Sequence, residues 1–192
     1  MTNADPNKWA LQPAQKSILI VTQTGSLTDT KNLKNWLILQ KDLPAANFEM
    51  IVEASIQIQA NGNHVFAALF QDDQNHIVIG LSGEKSSYLS RAPRFFQRSQ
   101  GRIASDLFGS NTHGAAPAPE RFLFRIDRIA NQYSGFYALS DRSASLDQIA
   151  WKNLGAVAAI NFNGKLMLSA ANFRGGDPEV PAEFHSVLIR IK

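Results

Sequence analysis

The sequence predicts an all-β fold in which two antiparallel sheets pack face to face, as in a jelly roll. Three observations predict it. Apolar and polar residues alternate with period two over several segments, turn-forming residues separate these segments at short intervals, and no convincing amphipathic helix of ten or more residues is found. A chain of 192 residues is long enough to bury a self-sufficient core as a single domain, 1–192.

The clearest alternation lies between residues 48 and 59. One side of this segment carries Phe48, Met50, Val52, Ala54, Ile56 and Ile58, and the other carries Glu49, Glu53, Ser55, Gln57 and Gln59, with Ile51 as the interruption. A strand with this pattern packs one face on a core and turns the other toward water or a ligand.

Other segments add strands to the prediction. Residues 121–127 and 186–191 repeat the alternation, whereas residues 65–70 form an unbroken apolar run. Such a run is typical of a strand that is covered on both faces. We therefore expect residues 65–70 at the centre of a sheet.

Turn signals separate the predicted strands. The segments 61–63 (Asn-Gly-Asn), 72–75 (Asp-Asp-Gln-Asn) and 163–164 (Asn-Gly) each indicate a hairpin. Residues 82–119 carry little alternation and several Pro and Gly residues, which predicts a long irregular excursion with at most one short strand around Phe95 and Phe96. Long loops of this kind are often functional.

Composition excludes several classes of protein. The longest apolar run falls well short of 18 residues, which excludes a membrane-spanning helix, and the chain has no Cys for disulfides, thiolate metal sites or nucleophilic catalysis. The usual motifs of serine hydrolases, P-loop enzymes and dinucleotide enzymes are absent. The polar opening residues lack a signal sequence, so we expect an intracellular protein or an excised piece of an exported one.

Read in order, the segments resemble the concanavalin A-like lectin and glucanase superfamily. The resemblance is to the C-terminal β-sandwich domain of bacterial family 43 β-xylosidases and to related lectin-like domains of unknown function. The segments that carry it are Trp9-x-Leu11, 17–20, 24–26, 37–40, 47–49, 67–73, 75–77, 122–126, Trp151-x-x-Leu154-Gly155 and 184–189.

The resemblance implies a twisted sandwich whose concave face holds a glycan or docks on a catalytic partner domain. In the xylosidases this domain is ancillary, and catalysis belongs to a separate propeller domain. By the same analogy the protein is extracellular or periplasmic, although its Cys-free composition fits the cytoplasm equally well. Function on a shared fold has to be argued from the site.

The pair Glu49 and Glu53 is the first candidate site. The resemblance implies one role, because some enzymes on this fold carry acid and nucleophile as Glu residues four apart. The Cα atoms of such a pair lie about 13 Å apart, whereas a retaining glycosidase needs carboxylates roughly 5.5 Å apart. In those enzymes an Asp between the two Glu residues sets the pKa values of their carboxyl groups, and here Ile51 occupies that position. Solvated carboxylates, ligand hydrogen bonding together with Gln57, and hydrolysis all stay open.

The turn at 72–75 is a candidate metal site. Asp72, Asp73 and Asn75 offer oxygen ligands that suit Ca²⁺ when backbone carbonyls and water complete the coordination. Hairpin turns favour the same residue types for backbone reasons. The four His residues lack the spacing of a zinc site.

A basic segment between residues 85 and 102 is a candidate anion site. It carries no acidic residue and five basic ones, which are Lys85, Arg91, Arg94, Arg98 and Arg102. Guanidinium groups offer paired donors to anions, and Tyr88 adds a ring that could stack on a sugar or a base. These residues suit an acidic glycan, a protein partner or a solvated loop that pairs with acidic residues elsewhere. A net charge of +3 argues against nucleic acid.

Together these features predict a non-catalytic carbohydrate-binding or enzyme-ancillary module for oligo- or polysaccharide. Trp36 is the preferred aromatic residue for a ligand site, since Trp9 and Trp151 fall where structural aromatics are expected. The alternative is a structural or protein-interaction sandwich that is covered by a catalytic domain or a second copy. A third hypothesis is a glycoside hydrolase that uses Glu49 and Glu53.

Overall fold

The computed structural model describes residues 3–26, 32–83, 90–110, 112–113, 120–139, 145–159 and 161–192. These residues form 15 strands and no helix longer than a 3₁₀ turn, such as Leu146–Gln148. The two sheets face each other as a sandwich, so the all-β prediction is confirmed. None of the described segments is a helix long and apolar enough to span a bilayer.

The first sheet has seven strands, all antiparallel. Its order across the sheet is β1 (Trp9–Gln12), β2 (Ser17–Val21), β15 (Pro181–Ile191), β5 (Phe48–Ile56), β11 (Glu120–Ile129), β12 (Gln132–Leu139) and β13 (Lys152–Ala158). The predicted alternating segments therefore lie side by side at the middle of one sheet.

The second sheet has eight strands. Its order is β10 (Thr112–His113), β8 (Ser90–Ser99), β7 (Asn75–Gly83), β6 (Asn63–Asp72), β14 (Lys165–Asn172) and β3 (Gln23–Thr24); β9 (Arg102–Phe108) also pairs with β8, and β4 (Leu37–Asp42) also pairs with β14. The β3–β14 pair is parallel, so this sheet is mixed.

The core lies between the inner faces of the two sheets. Strand β5 contributes Phe48, Met50, Val52, Ala54 and Ile56, as its alternation predicts, although the strand ends at Ile56. Strand β6 lies between β7 and β14, and its residues 65–69 are at most 1% exposed. The predicted central strand is confirmed, because a second apolar cluster around Phe66 covers its outer face.

The prediction of an irregular excursion at 82–119 is wrong for residues 90–108. They form the β8–β9 hairpin, ten and seven residues long. The alternation of apolar and polar residues is lost in β8 because both faces of the strand are buried, as Ala92, Phe95 and Phe96 show. Pro93 also indicates the end of a strand, although β8 continues through it.

Two of the three predicted hairpins are also wrong. The turn at 72–75 does join β6 to β7. The Asn-Gly signals at 61–63 and 163–164 instead precede β6 and β14, in connections that cross from the seven-stranded to the eight-stranded sheet. An Asn-Gly pair favours a tight turn but does not specify which sheet the chain enters next.

Gly135 sets the spacing between the sheets at one point. A Cβ atom there would lie 2.5–2.8 Å from ring atoms of Phe95, which is fully buried on the opposite sheet. We expect Gly135→Ala to lower the free energy of unfolding by about 1–3 kcal/mol through overpacking. Gly175→Ala is the matched control, since nothing lies within 4 Å of its added Cβ. Equal urea midpoints for the two variants would contradict this packing.

Candidate functional site

A polar pocket opens at one end of the sandwich, where three connections meet. These are the β6–β7 turn, the β8–β9 turn and the segment that leads from β13 to β14. The cavity measures about 340 Å³, within the roughly 300–1,000 Å³ of small-molecule sites. Its lining residues are Gln71, Asn75, Gln97, Arg98, Ser99, Ala158, Ala159, Asn161 and Phe162.

Strand register explains why neutral polar side chains line this pocket. Gln97 lies opposite Ile77, a core residue, so its side chain is on the inner face of the sheet. Asn75 lies two residues before Ile77, and Ser99 lies two residues after Gln97, so both side chains share the inner face. Arg98 alternates to the outer face, opposite His76.

Backbone contacts hold the amide side chains in place. Gln97, 9% exposed, donates from Nε2 to the carbonyl of Ala158 at 2.9 Å and so ties the two sheets together. Gln71 Oε1 accepts the amide of Asn163 at 3.1 Å, and Asn75 Oδ1 accepts that of Gln100 at 3.1 Å. Gln71 and Gln97 each keep a second polar atom that these contacts do not use.

Phe162 supplies the aromatic wall of the pocket. Its half-buried ring packs on the core and meets Tyr133 edge to face, with ring centroids 5.7 Å apart. Burial raises the pKa of the Tyr133 hydroxyl, although the charge of Arg128 opposes the shift. Among the lining residues no carboxylate is found, so the pocket lacks the acid and base of a glycosidase. The arrangement is suited to binding a small polar molecule through the amide, hydroxyl and guanidinium groups of the lining.

The predicted pair Glu49 and Glu53 lies elsewhere, on the outer face of the seven-stranded sheet. Glu49 is 4% exposed and ion-paired with Arg125 at 2.9 Å, Arg190 at 2.8 Å and Lys192 at 3.6 Å. The interpretation of Glu49 as a solvated carboxylate is therefore wrong, because cations from β11 and the C-terminus cover it.

Asp127 and Arg125 complete this charged network. Burial raises the pKa of the Asp127 carboxyl, but hydrogen bonds from Arg125 at 2.7 Å and Lys192 at 3.0 Å outweigh it and hold that pKa below its ordinary value. Arg125 also stacks over Phe136 and Trp151, at 5.0 and 5.4 Å from the ring centroids. These charged groups are therefore paired with one another within the protein.

Glu53 has its own basic partner on the same face. It pairs with Arg121, and Ser186 Oγ lies 3.4 Å from its Oε2. Gln57 follows the end of β5 and is half-buried. The binding roles predicted for Glu49, Glu53 and Gln57 stay predictions.

The predicted anion site is distributed over β8 and neighbouring strands. Arg91 is 6% exposed and pairs with Glu120, while Arg94 makes a two-pronged contact with Asp106 at 2.7 Å and stacks over Phe96 at 4.7 Å. Tyr88 lies outside the described residues. Both arginines carry internal ion pairs, and their role toward a ligand stays a prediction.

Trp36 lies on the outer face of the eight-stranded sheet. It is 7% exposed and packs edge to face on Phe70, with centroids 5.1 Å apart, over the apolar cluster of Phe66 and Val78. The ring is therefore covered by its neighbours. A sugar platform at Trp36 stays a prediction.

At the turn of 72–75 the acidic oxygens serve the backbone. Asp72 Oδ1 accepts the amides of Gln74 and Asn75, each at 2.8 Å. Burial raises the pKa of Asp72, but hydrogen bonds from Asn75 and these amides outweigh it and leave the pKa below its usual value. Over the residues that the structure describes, no cluster of three His or acidic residues suits a metal ion. Calcium at Asp72, Asp73 and Asn75 stays a prediction.

Sequence reasoning missed most of the pocket. Of its lining residues, the sequence points to Asn75 as a metal ligand and to Arg98 as part of the basic segment. The others come from the ends of three strands and one connection, and no local pattern joins them. The available signals were the clustering of turn residues at 72–75 and the basic segment between residues 85 and 102.

The chain matches no family model and no curated protein sequence. Its structure is similar to a mutant of the GH43 protein BlXynB from Bacillus licheniformis, with a TM-score of 0.73 and 15% identity over 99% of this chain and 36% of that one. It is also similar to the carbohydrate-binding module CBM66 from Bacillus subtilis, with a TM-score of 0.58 and 9% identity over 95% and 91%.

A protein of unknown function from Saccharomyces cerevisiae shares the fold over nearly its whole length. The TM-score is 0.60, with 10% identity over 98% of this chain and 94% of the yeast protein. The chain spans about a third of the GH43 structure that it matches. The fold is thus a two-sheet β-sandwich of the kind found in these structures, as the sequence predicts.

Proposed function

We propose that this chain is a non-catalytic carbohydrate-binding or enzyme-ancillary module whose ligand occupies the polar pocket. The observation that carries the proposal is the lining of that pocket. Amide and hydroxyl groups both donate and accept hydrogen bonds, which matches the hydroxyls of a neutral sugar. The ring of Phe162 offers an apolar wall to the C–H face of the same sugar.

The fold supports the same proposal by analogy. One of its structural relatives is a carbohydrate-binding module, and others are GH43 proteins in which this fold makes up about a third of the chain. The proposal includes an extracellular or periplasmic location, where polymeric glycans occur. Fractionation of the source cells with an antibody tests the location, and a purely cytoplasmic signal would contradict it.

Titration calorimetry with neutral xylo-, arabino- and gluco-oligosaccharides, with and without Ca²⁺, tests the binding function. We expect one site per chain, weakened about three- to tenfold by Gln71→Ala or Ser99→Ala through the loss of one hydrogen bond. Gln15→Ala is the matched control, because Gln15 lies between β1 and β2 at the opposite edge of the seven-stranded sheet from β13.

Two results would count against the proposal. Absence of binding to every oligosaccharide in this set, with and without Ca²⁺, would contradict the function. Binding that is equally tight in Gln71→Ala, Ser99→Ala and Gln15→Ala would remove the pocket as its site.

A further inference from the structure

The last strand has an open edge along its second half. On one side β15 pairs with β5 from Ala182 to Ile191, but on the other it pairs with β2 only from Pro181 to Phe184. Within the described residues, no backbone hydrogen bond reaches the outward edge of residues 186–191. At about 3.3 Å per residue this leaves roughly 20 Å of unpaired edge.

Apolar side chains follow this open edge on the inner face. The register with β5 places Val187, Ile189 and Ile191 on the same face as the core residues of that strand. Val187 is nevertheless 38% exposed and Ile191 70% exposed. An exposed, apolar, unpaired edge is a template for the addition of another strand.

A groove of about 380 Å³ begins where the β2 pairing stops. It runs between the β1–β2 hairpin, with Leu11 and Ile18, and the β15 residues Phe184 and Val187. Leu11 is 65% exposed there. The groove provides additional apolar surface beside the open edge.

We propose that the open edge of β15 pairs antiparallel with the same edge of a second copy of this chain. The two seven-stranded sheets would then continue into one another across a two-fold axis. A second copy is favoured because the edge is complementary to itself. It supplies apolar residues on one face at every second position, and an antiparallel copy presents the same pattern in return.

The side chains select one register for this pairing. Residues directly opposite each other in an antiparallel pair lie on the same face. A two-fold axis that passes through Ile189 places Ile189 opposite Ile189 of the second copy. Val187 then lies opposite Ile191 of that copy and Leu188 opposite its Arg190, so no two like charges lie opposite each other. An axis at Arg190 would oppose two guanidinium groups, and an axis at Leu188 would push the partner's end toward the β1–β2 hairpin.

Light scattering of the purified chain at increasing concentration tests the dimer. We expect the mass to approach twice 21.1 kDa. Ile191→Lys should keep the protein monomeric, because it places a charge opposite Val187 of the copy. Leu139→Lys is the matched control, since Leu139 is 66% exposed at the end of β12, away from this edge, and it should leave the dimer intact.

A cross-link tests the register independently of affinity. The chain has no cysteine, so one introduced thiol can form only an intermolecular disulfide. Opposed residues of an antiparallel pair have Cα atoms about 4.5–5.5 Å apart, within the range of about 4.4–6.8 Å for disulfides. Ile189→Cys should therefore oxidise to a covalent dimer, and Leu139→Cys should not.

The inference is overturned by a chain that stays monomeric at millimolar concentration, or by a dimer that Ile191→Lys leaves intact. It is also overturned if Ile189→Cys and Leu139→Cys cross-link equally. A third contradicting result is a chain that stays monomeric and whose β15 amides are protected from hydrogen exchange only when a catalytic domain is added. The open edge would then bind that domain and not a second copy. None of these outcomes depends on sugar binding.

Discussion

Replacement of Glu49 by glutamine is expected to lower the free energy of unfolding by about 1.5–3 kcal/mol, the usual contribution of hydrogen bonds to a charged group. The carboxylate is 4% exposed and lies among Arg125, Arg190 and Lys192. A neutral amide would leave these cations with Asp127 as the single acidic partner of the network. Urea unfolding at pH 7 measures the effect.

Glu179→Gln is the matched control for this substitution. Glu179 forms an ion pair with Lys8 whose side chains are 34–40% exposed. Exposed pairs contribute roughly 0–1 kcal/mol. Equal losses of stability in Glu49→Gln and Glu179→Gln would contradict the charged network as a stabilising element.

The second large effect is expected at acidic pH and comes from His64. Its side chain is 6% exposed, and both ring nitrogens are buried without a hydrogen-bond partner. Burial, helped by the positive charge of Arg94, lowers the pKa of His64 from 6.5 to about 3. Between pH 6.5 and about 3 the imidazole is therefore neutral in the folded protein, whereas it is protonated in the unfolded chain.

The sign of the pH dependence follows from this shift. Between pH 6.5 and about 3 the unfolded state binds a proton that the folded state does not, so stability falls as the pH falls. The contribution of this one group by pH 3 is on the order of 5 kcal/mol.

His64→Phe should remove this contribution. Denaturant unfolding at several pH values from 8 to 4 measures it, and the stability of the variant should fall less steeply below about pH 6.5. Above that pH the two proteins should show parallel profiles, which is the internal control. Identical slopes below pH 6 would place His64 in contact with water and contradict its burial.

The strands that could be predicted from sequence are those with one buried face. Strand β5 alternates because its outer face carries Glu49 and Glu53, and the apolar run of β6 indicates a strand covered on both sides. Only the middle of strand β8, around Phe95 and Phe96, could be predicted, because both faces of this strand are buried, which removes the alternation on which the prediction depends.

The candidate site was harder to predict than the fold. Glu49 was placed on the correct face, but its burial depends on Arg125 and Arg190, which the sheet brings alongside from distant parts of the chain. The polar pocket depends on three connections that converge at one end of the sandwich. Periodicity identifies which face a residue occupies, and it carries no information about which strand ends meet.

The most direct test of the polar pocket is a nitrogen–proton correlation spectrum of the chain during titration with a neutral oligosaccharide that binds. The side-chain amide signals of Gln71, Asn75, Gln97 and Asn161 should move together and saturate, while that of Gln15 stays in place. Saturating movement confined to Gln57 and the backbone amides around Glu49 and Glu53, with the four pocket amides unmoved, would contradict the account.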